Sequence, residues 1–244
     1  MQNPYDALAG QVAVIPGGAG GLGSPVVQAF VAAGVRVAIP YRTERDWEKL
    51  VKAWPAHLDR ALIVGSEVDV NSQRDMHEFV QYVLDKWGRL DILLNLTGGY
   101  AAGNPVEELD DMVWDGQLDS NLRTAFVAAR ACLPPMIAAG HGKIIMTSSR
   151  AAVSSAANAA AYGVSKAALN KLVEALADEG RARNIQVNAI MPSIIDTPAN
   201  RKAMGDADYE TWPKPEQLAQ VLLFLASPAS DLISGAAIPV YGRA

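Results

Sequence analysis

Cysteine is almost missing from this chain: Cys132 is the single one in 244 residues. An internal disulfide framework is therefore excluded, and a reducing compartment suits the composition. Cys132 sits in an apolar stretch, 125–133, where a core thiol fits better than a nucleophile. Histidine is scarce too. His57, His77 and His141 are dispersed without metal-ligand spacing, so no metal site is expected and each reads as a surface or capping residue. There is no basic excess: 21 Lys and Arg stand against 26 Asp and Glu, a net charge of −5, which argues against a nucleic-acid footprint. Apolar runs are all too short to span a bilayer. The opening Met1-Gln2-Asn3-Pro4 lacks the basic-then-apolar order of a signal peptide. The expectation is a cytoplasmic protein with neither a nucleic-acid nor a membrane partner.

What the chain does have is alternation. Short aliphatic runs occur at 12–15, 35–39, 61–64, 92–96, 143–147, 185–190 and 236–240, the pattern of strands buried on both faces of a parallel sheet. Between them lie residues at helical spacing. Leu22, Val26, Phe30 and Ala33 form one such set, and Met76, Phe79, Val80, Val83 and Trp87 another. For the second, Asn71 is a candidate cap and Gly88 a stop. Leu169, Leu172, Val173 and Leu176 mark a third helix, and Pro215 is placed to start a last one through Leu218, Val221, Leu222 and Leu225. Repeated strand–helix alternation predicts an α/β fold, a doubly wound parallel sheet of about seven strands with helices on both faces. With no linker or internal repeat in view, residues 1–244 read as one domain. The least regular segment, 192–214, follows a strand and is expected to cover the substrate.

Three local patterns carry chemistry. Directly after the first strand comes Pro16-Gly17-Gly18-Ala19-Gly20-Gly21-Leu22-Gly23, leading into a helix. Glycines there let the backbone turn tightly and approach a pyrophosphate, which the free N–H groups of the helix start then attract. No Lys-Ser/Thr ending follows, so the turn suits a dinucleotide rather than a nucleoside triphosphate. The second strand ends Ile39-Pro40-Tyr41-Arg42-Thr43. An NAD site wants an acid there to accept from the adenosine ribose; Glu44 stands slightly late, while the Arg42 guanidinium suits a 2′-phosphate. The residues favour NADP over NAD. Finally, Tyr162-Gly163-Val164-Ser165-Lys166 puts a phenol and an ammonium one helical turn apart. The cation is expected to lower the phenol's pKa from about 10 toward a value useful for proton exchange. Ordinary amphipathic helices carry the same spacing, so the pair needs partners.

In this combination the chain resembles the short-chain dehydrogenase/reductase family along essentially its whole length. The family's glycine motif falls on Gly17, Gly21 and Gly23, its strand-four element on Asn95-Leu96-Thr97-Gly98, its structural asparagine on Asn121 and its active-site serine on Ser149. Asp69-Val70 matches the pair that contacts the adenine, and Met191-Pro192-Ser193 with Ile195-Asp196-Thr197 matches the element before the substrate loop. The resemblance implies a Rossmann-like fold and catalytic roles for Asn121, Ser149, Tyr162 and Lys166. It implies that Gly17, Gly21, Leu22, Gly23, Arg42, Asp69, Val70, Asn95, Gly98, Pro192, Ile195 and Thr197 hold the cofactor together with Tyr162 and Lys166. Tyr162 would exchange a proton with the substrate oxygen, Ser149 would bond that oxygen, Lys166 would bond the nicotinamide ribose, and Asn121 would hold a water linking Lys166 to solvent. Pro16, Leu96 and Ser193 depart from the family's usual threonine, asparagine and glycine.

The implied activity is hydride transfer between a nicotinamide cofactor, NADP before NAD, and a small carbonyl or alcohol substrate, as in 3-oxoacyl-carrier-protein reductases. Two alternatives stand beside it. The stretch 196–204, with Tyr209 and Trp212 after it, is similar to the corresponding part of quinonoid dihydropteridine reductase, which suggests pterin reduction. A catalytically idle cofactor-binding regulator is the other, although it would be expected to lose part of the Asn121, Ser149, Tyr162 and Lys166 set. Arg150, next to Ser149, either faces the site and selects a polar substrate or points to solvent. The resemblance also implies a homotetramer or homodimer, built through the helices around 114–138 and 162–182 and the strand near Ala236.

Overall fold

The computed structural model describes residues 5–56, 58–154 and 156–243; the expectations for Met1 to Pro4 and for His57 lie outside them. Seven strands form one sheet: β1 (Val12–Val14), β2 (Arg36–Tyr41), β3 (Ile63–Glu67), β4 (Ile92–Asn95), β5 (Gly142–Thr147), β6 (Ile185–Pro192) and β7 (Ala237–Val240). All pairings are parallel, in the order β3-β2-β1-β4-β5-β6-β7. Each aliphatic run in the sequence thus became a strand, displaced at its ends by three residues or fewer. Parallel pairing has a functional consequence, because every strand delivers its following loop to the same edge. Chain order reverses between β1 and β4, and the crevice at such a switch is where open α/β sheets bind ligands.

Helices cover both faces. On one side α1 (Gly23–Ala32), α2 (Glu44–Ala53) and α8 (Pro215–Ala226) bury Val26, Phe30, Leu50, Leu218 and Leu222. On the other, α3 (Gln73–Trp87), α4 (Asp111–Leu118), α5 (Thr124–Ala139) and α6 (Ala160–Gly180) pack Met76, Phe79, Val83, Cys132, Leu169 and Val173 against the sheet. Cys132 is fully buried and desolvation pushes its thiol far up, so it packs as an apolar side chain. Ser72, rather than Asn71, caps α3: its hydroxyl accepts from the Asp75 N–H, while Gly88 ends the helix at φ 72°. Among the described residues no helix is long and apolar enough to cross a membrane.

Two features of the helices escape a periodicity reading. Residues Asp119–Arg123 form a π-turn between α4 and α5, and the segment 192–214 holds a short helix, α7 (Pro198–Met204), and a 3₁₀ turn, Tyr209–Thr211.

Opposite the ligand edge, Asp91 clamps the sheet's floor. Its carboxylate is 2 % exposed and accepts from the Val12 N–H at 2.8 Å, from Arg89 Nε and Nη2 at 2.8 and 2.7 Å, and from His141 Nε2 at 2.6 Å. Burial pushes the carboxyl pKa up, but the bonds from Arg89, His141 and Val12 outweigh it and hold the group below its ordinary value. A depressed carboxyl contributes stability above its unfolded pKa of about 3.9, and that contribution is lost as pH falls through the folded value. Asp91→Ala leaves the buried Val12 N–H without a partner and is expected to cost about 2–3 kcal/mol in urea melts at pH 7, a difference that shrinks below pH 4. An unchanged midpoint at pH 7 would contradict the clamp.

Candidate active site

The glycine turn sets one end of the site. Gly17 adopts φ 83°, and a Cβ there would lie 2.6 Å from the Leu96 carbonyl carbon; one at Gly23 would lie 2.2 Å from the Gly17 oxygen. Only unsubstituted backbone fits this crossing of the β1 and β4 loops. Pro16 is compatible with it, since its carbonyl accepts from Leu96 N at 2.8 Å. Beyond the turn runs a cleft of about 870 Å³, lined by Gly17, Gly20, Arg42, Asp69, Val70 and Gly98 among others, within the range of cofactor sites. Arg42 is exposed on its wall. Gly21 and Gly23 stand at the start of α1, and Leu22 turns into the core. Asn95 is buried at the end of β4; its Oδ1 accepts from the Thr97 hydroxyl at 2.8 Å while its Nδ2 has no protein partner.

These observations fit a bound dinucleotide. The cradle excludes side chains, a buried donor is left over at Asn95, and a cation lies at the far wall. Gly17, Gly20, Arg42, Asp69, Val70 and Gly98 line the cleft and could hold the dinucleotide. A Cβ on Gly98 would stand 2.6 Å from Asn121 Oδ1 and 3.1 Å from Lys166 Nζ, so the cleft ends against the Tyr–Lys helix.

There the reactive groups converge. Lys166, 3 % exposed, donates from Nζ to the Thr147 carbonyl at 2.8 Å, and its Nζ lies 5.9 Å from the Tyr162 ring centroid. Desolvation lowers the lysine's pKa from 10.5 to about 8. Ser149 follows β5 with its Oγ accepting from the Ala151 N–H at 3.1 Å, and its hydroxyl hydrogen-bonds the Tyr162 phenol. Ser148 is otherwise engaged, donating to the Lys166 carbonyl at 3.3 Å.

The phenol differs from the sequence expectation. Burial raises the Tyr162 pKa, the Ser149 hydrogen bond offsets this only in part, and Tyr100 raises it further. The Lys166 ammonium, 5.9 Å from the ring centroid, is directed at the Thr147 carbonyl, and the net direction of the phenol's pKa is upward. The resting tyrosine is therefore firmly protonated.

Asn121, fully buried, sits in the π-turn. Its Oδ1 accepts from Gly99 N and its Nδ2 donates to Gly99 O, both at 3.0 Å, and to Ser165 Oγ at 3.2 Å. The carboxamide thus fastens the β4 loop to α6. Such π-turns recur at functional sites.

The segment after β6 packs against the glycine turn. Pro192 is buried at the end of β6, and Ile195 packs on the core. Thr197 caps α7, accepting from the Asn200 N–H at 3.2 Å, and a Cβ on Gly21 would meet Thr197 Cγ2 at 3.2 Å. The loop therefore rests on the glycine turn. Asp196 fixes it there, bonded by Arg201 Nη2 at 2.8 Å and Lys214 Nζ at 2.6 Å. Those two bonds hold its carboxyl well below the usual carboxylate range. Ser193 uses its hydroxyl, absent from the family's glycine, to bond the Tyr241 carbonyl at 2.7 Å.

Three neighbours were not singled out in the sequence. Tyr100 meets Tyr162 edge-on with ring centroids 4.9 Å apart. Gln117 accepts from Ala101 N at 3.2 Å and from Asn121 at 3.4 Å; its position four before Asn121 was the available signal. Tyr241 lies beneath the Arg150 guanidinium, 5.7 Å from ring centroid to Cζ, a contact between distant segments that no local pattern announces.

Residues 17–242 match the family model described as enoyl-(acyl carrier protein) reductase. The chain is 32% identical over 234 residues to the NAD-dependent glycerol dehydrogenase of Listeria innocua, covering 92% of this chain and 90% of that protein. It is 29% identical over 246 aligned residues to a 3-oxoacyl-[acyl-carrier-protein] reductase of Thermotoga maritima, covering 96% and 98%. A short-chain type dehydrogenase/reductase from Mycobacterium ulcerans superposes with a TM-score of 0.91 at 25% identity, over 97% of this chain and 90% of that one. The chain belongs to the short-chain dehydrogenase/reductase family, whose members are NAD(P)-dependent oxidoreductases acting on alcohol and carbonyl groups.

Proposed function

We propose that this protein reduces a small carbonyl substrate with NADPH, with Tyr162 as the proton donor. The observation that carries the reading is the junction at Gly98, where the end of the cleft meets Asn121 Oδ1 and Lys166 Nζ within a side chain's reach. The nicotinamide, when bound, supplies the hydride. The protein's part is binding, alignment and one proton. Tyr162, kept protonated by burial, holds that proton at Oη beside Ser149. The Ser149 hydroxyl orients the substrate oxygen and shares the charge developing on it. Once Oη has given up its proton, the Lys166 ammonium one turn away stabilises the phenolate, a role the resting pKa does not display. Asn121 positions the Gly99 backbone and α6 so that these groups keep their register.

The 192–214 segment covers the substrate, latched by Asp196 between Arg201 and Lys214, and residues 1–244 act as one unit. Exposed Phe126 and Val164 on α5 and α6, and Phe224 on α8, lie on elements suited to contact in a homotetramer or homodimer. The adenosine end favours NADPH because Arg42 is free on the cleft wall to pair with a 2′-phosphate. Arg42→Ala is expected to weaken NADPH binding about 10- to 100-fold and NADH binding by less than about threefold; equal losses would remove the phosphate-clamp reading.

The functional test is NADPH oxidation across a panel of ketones derived from polyols, 3-oxoacyl thioesters and quinonoid pterin. The reading predicts turnover of at least one carbonyl class. Turnover of pterin alone, or cofactor binding with no oxidation on any member, would overturn it.

A further inference from the structure

An acid does follow β2, but it is engaged by a neighbouring phenol. The Tyr41 phenol donates to Glu44 Oε2 at 2.6 Å, and that bond together with burial raises the phenol pKa to about 12. Tyr41 is 9 % exposed and its ring stacks on Trp47, with centroids 5.2 Å apart and planes at 22°. Trp47 in turn meets Trp54 edge-on at 5.7 Å. Room for this stack exists because β3 carries Gly65, where a Cβ would lie 2.5 Å from the Trp47 ring. The phenol that holds Glu44 is thus fixed by packing that runs across β2, α2 and β3. Tyr41, Arg42, Asp46 and Glu67 line the cleft, and Asp46 Oδ2 accepts from the Thr43 hydroxyl at 2.8 Å.

We propose that Tyr41 is a positioning residue for coenzyme choice: by binding Glu44 it withholds a carboxylate from the adenosine ribose, leaving Arg42 to meet a 2′-phosphate. A free Glu44 would do two things at once. It would accept hydrogen bonds from ribose hydroxyls, which favours NADH, and it would repel the 2′-phosphate of NADPH. The inference rests on the NADPH reading given above, and it assigns part of that preference to a residue that need not contact the phosphate.

The test is calorimetric binding of NADPH and NADH, separately, to the cofactor-free protein and to Tyr41→Phe, Glu44→Ala, the double variant and Arg42→Ala. Phenylalanine preserves the stack on Trp47, so the fold is retained. Tyr41→Phe is expected to lower the ratio of the NADH to the NADPH dissociation constant about tenfold, as the loss and gain of a charge-assisted contact imply. Glu44→Ala alone should leave the ratio unchanged, because that carboxylate is already withheld, and the double variant should return to the wild-type ratio. Ultraviolet titration of the free protein supplies an independent readout: Glu44→Ala should bring one phenol down from about 12. An unchanged ratio in Tyr41→Phe, or the same shift with and without Glu44, would overturn the inference. A Tyr41→Phe shift that depends on Glu44 while Arg42→Ala changes neither constant would sink the phosphate-clamp reading and leave only the Tyr41–Glu44 part of the inference standing.

Discussion

Tyr162→Phe should lose about 10²–10⁴-fold in turnover while binding NADPH within about threefold of wild type. The substitution is nearly isosteric. The ring would keep its edge-on contact with Tyr100 at 4.9 Å and its place on α6, so the loss isolates the hydroxyl. That hydroxyl is the group Ser149 addresses. Tyr100 meets the Tyr162 ring edge-on and is 68 % exposed. Steady-state rates alongside equilibrium cofactor binding make the check. Near-native turnover would mean that the proton comes from elsewhere; a parallel collapse of cofactor binding would mean that the hydroxyl is structural.

Lys166→Met carries the second large effect, and it acts in two directions. Turnover should fall about 10²-fold or more, because the cation that stabilises the tyrosinate is gone. Stability should rise. Displacing the lysine pKa from 10.5 to about 8 amounts to about 3–4 kcal/mol at 1.4 kcal/mol per pH unit. Losing the bond to the Thr147 carbonyl returns about 1 kcal/mol of this, so a net gain of about 2–3 kcal/mol is expected at pH 7. The sign follows from proton counts: between pH 8 and 10.5 the unfolded chain binds more protons at this site than the folded one, so wild-type stability rises with pH. The advantage of the methionine is therefore full below pH 8 and gone above 10.5. Paired urea melts at pH 7 and pH 10.5 test this. A variant destabilised at pH 7 would show that the ammonium holds the fold together rather than straining it, as expected where function and stability compete.

How far these results were readable in advance depends on the kind of signal. The strands were legible because a sheet buried on both faces demands continuous aliphatic runs, and Val12, Ile92 and Ile144 each sit in one. The glycine turn and the Tyr162, Ser149 and Asn121 set were legible because fixed roles impose fixed spacings. What stayed hidden was set by tertiary contact. The π-turn at Asn121 was not legible because its residues, Asp119 to Arg123, are mostly polar and offer no apolar period in which a shift of phase would show. The Tyr162 pKa was expected to fall on the strength of a neighbour four residues away; burial, which spacing does not report, decides its direction. Glu44 looked merely late for a ribose ligand, whereas the fold shows it bound by Tyr41 in a stack made possible by Gly65, more than twenty residues along the chain.

The most direct test is the crystal structure of the protein with oxidised NADP and an unreactive alcohol or ketone analogue. The account predicts the pyrophosphate on the turn from Gly17 to Gly23 and the analogue's oxygen within hydrogen-bond distance of both Tyr162 Oη and Ser149 Oγ. An analogue oxygen held by other groups, such as Arg150 or Tyr100, with Tyr162 out of reach would contradict it.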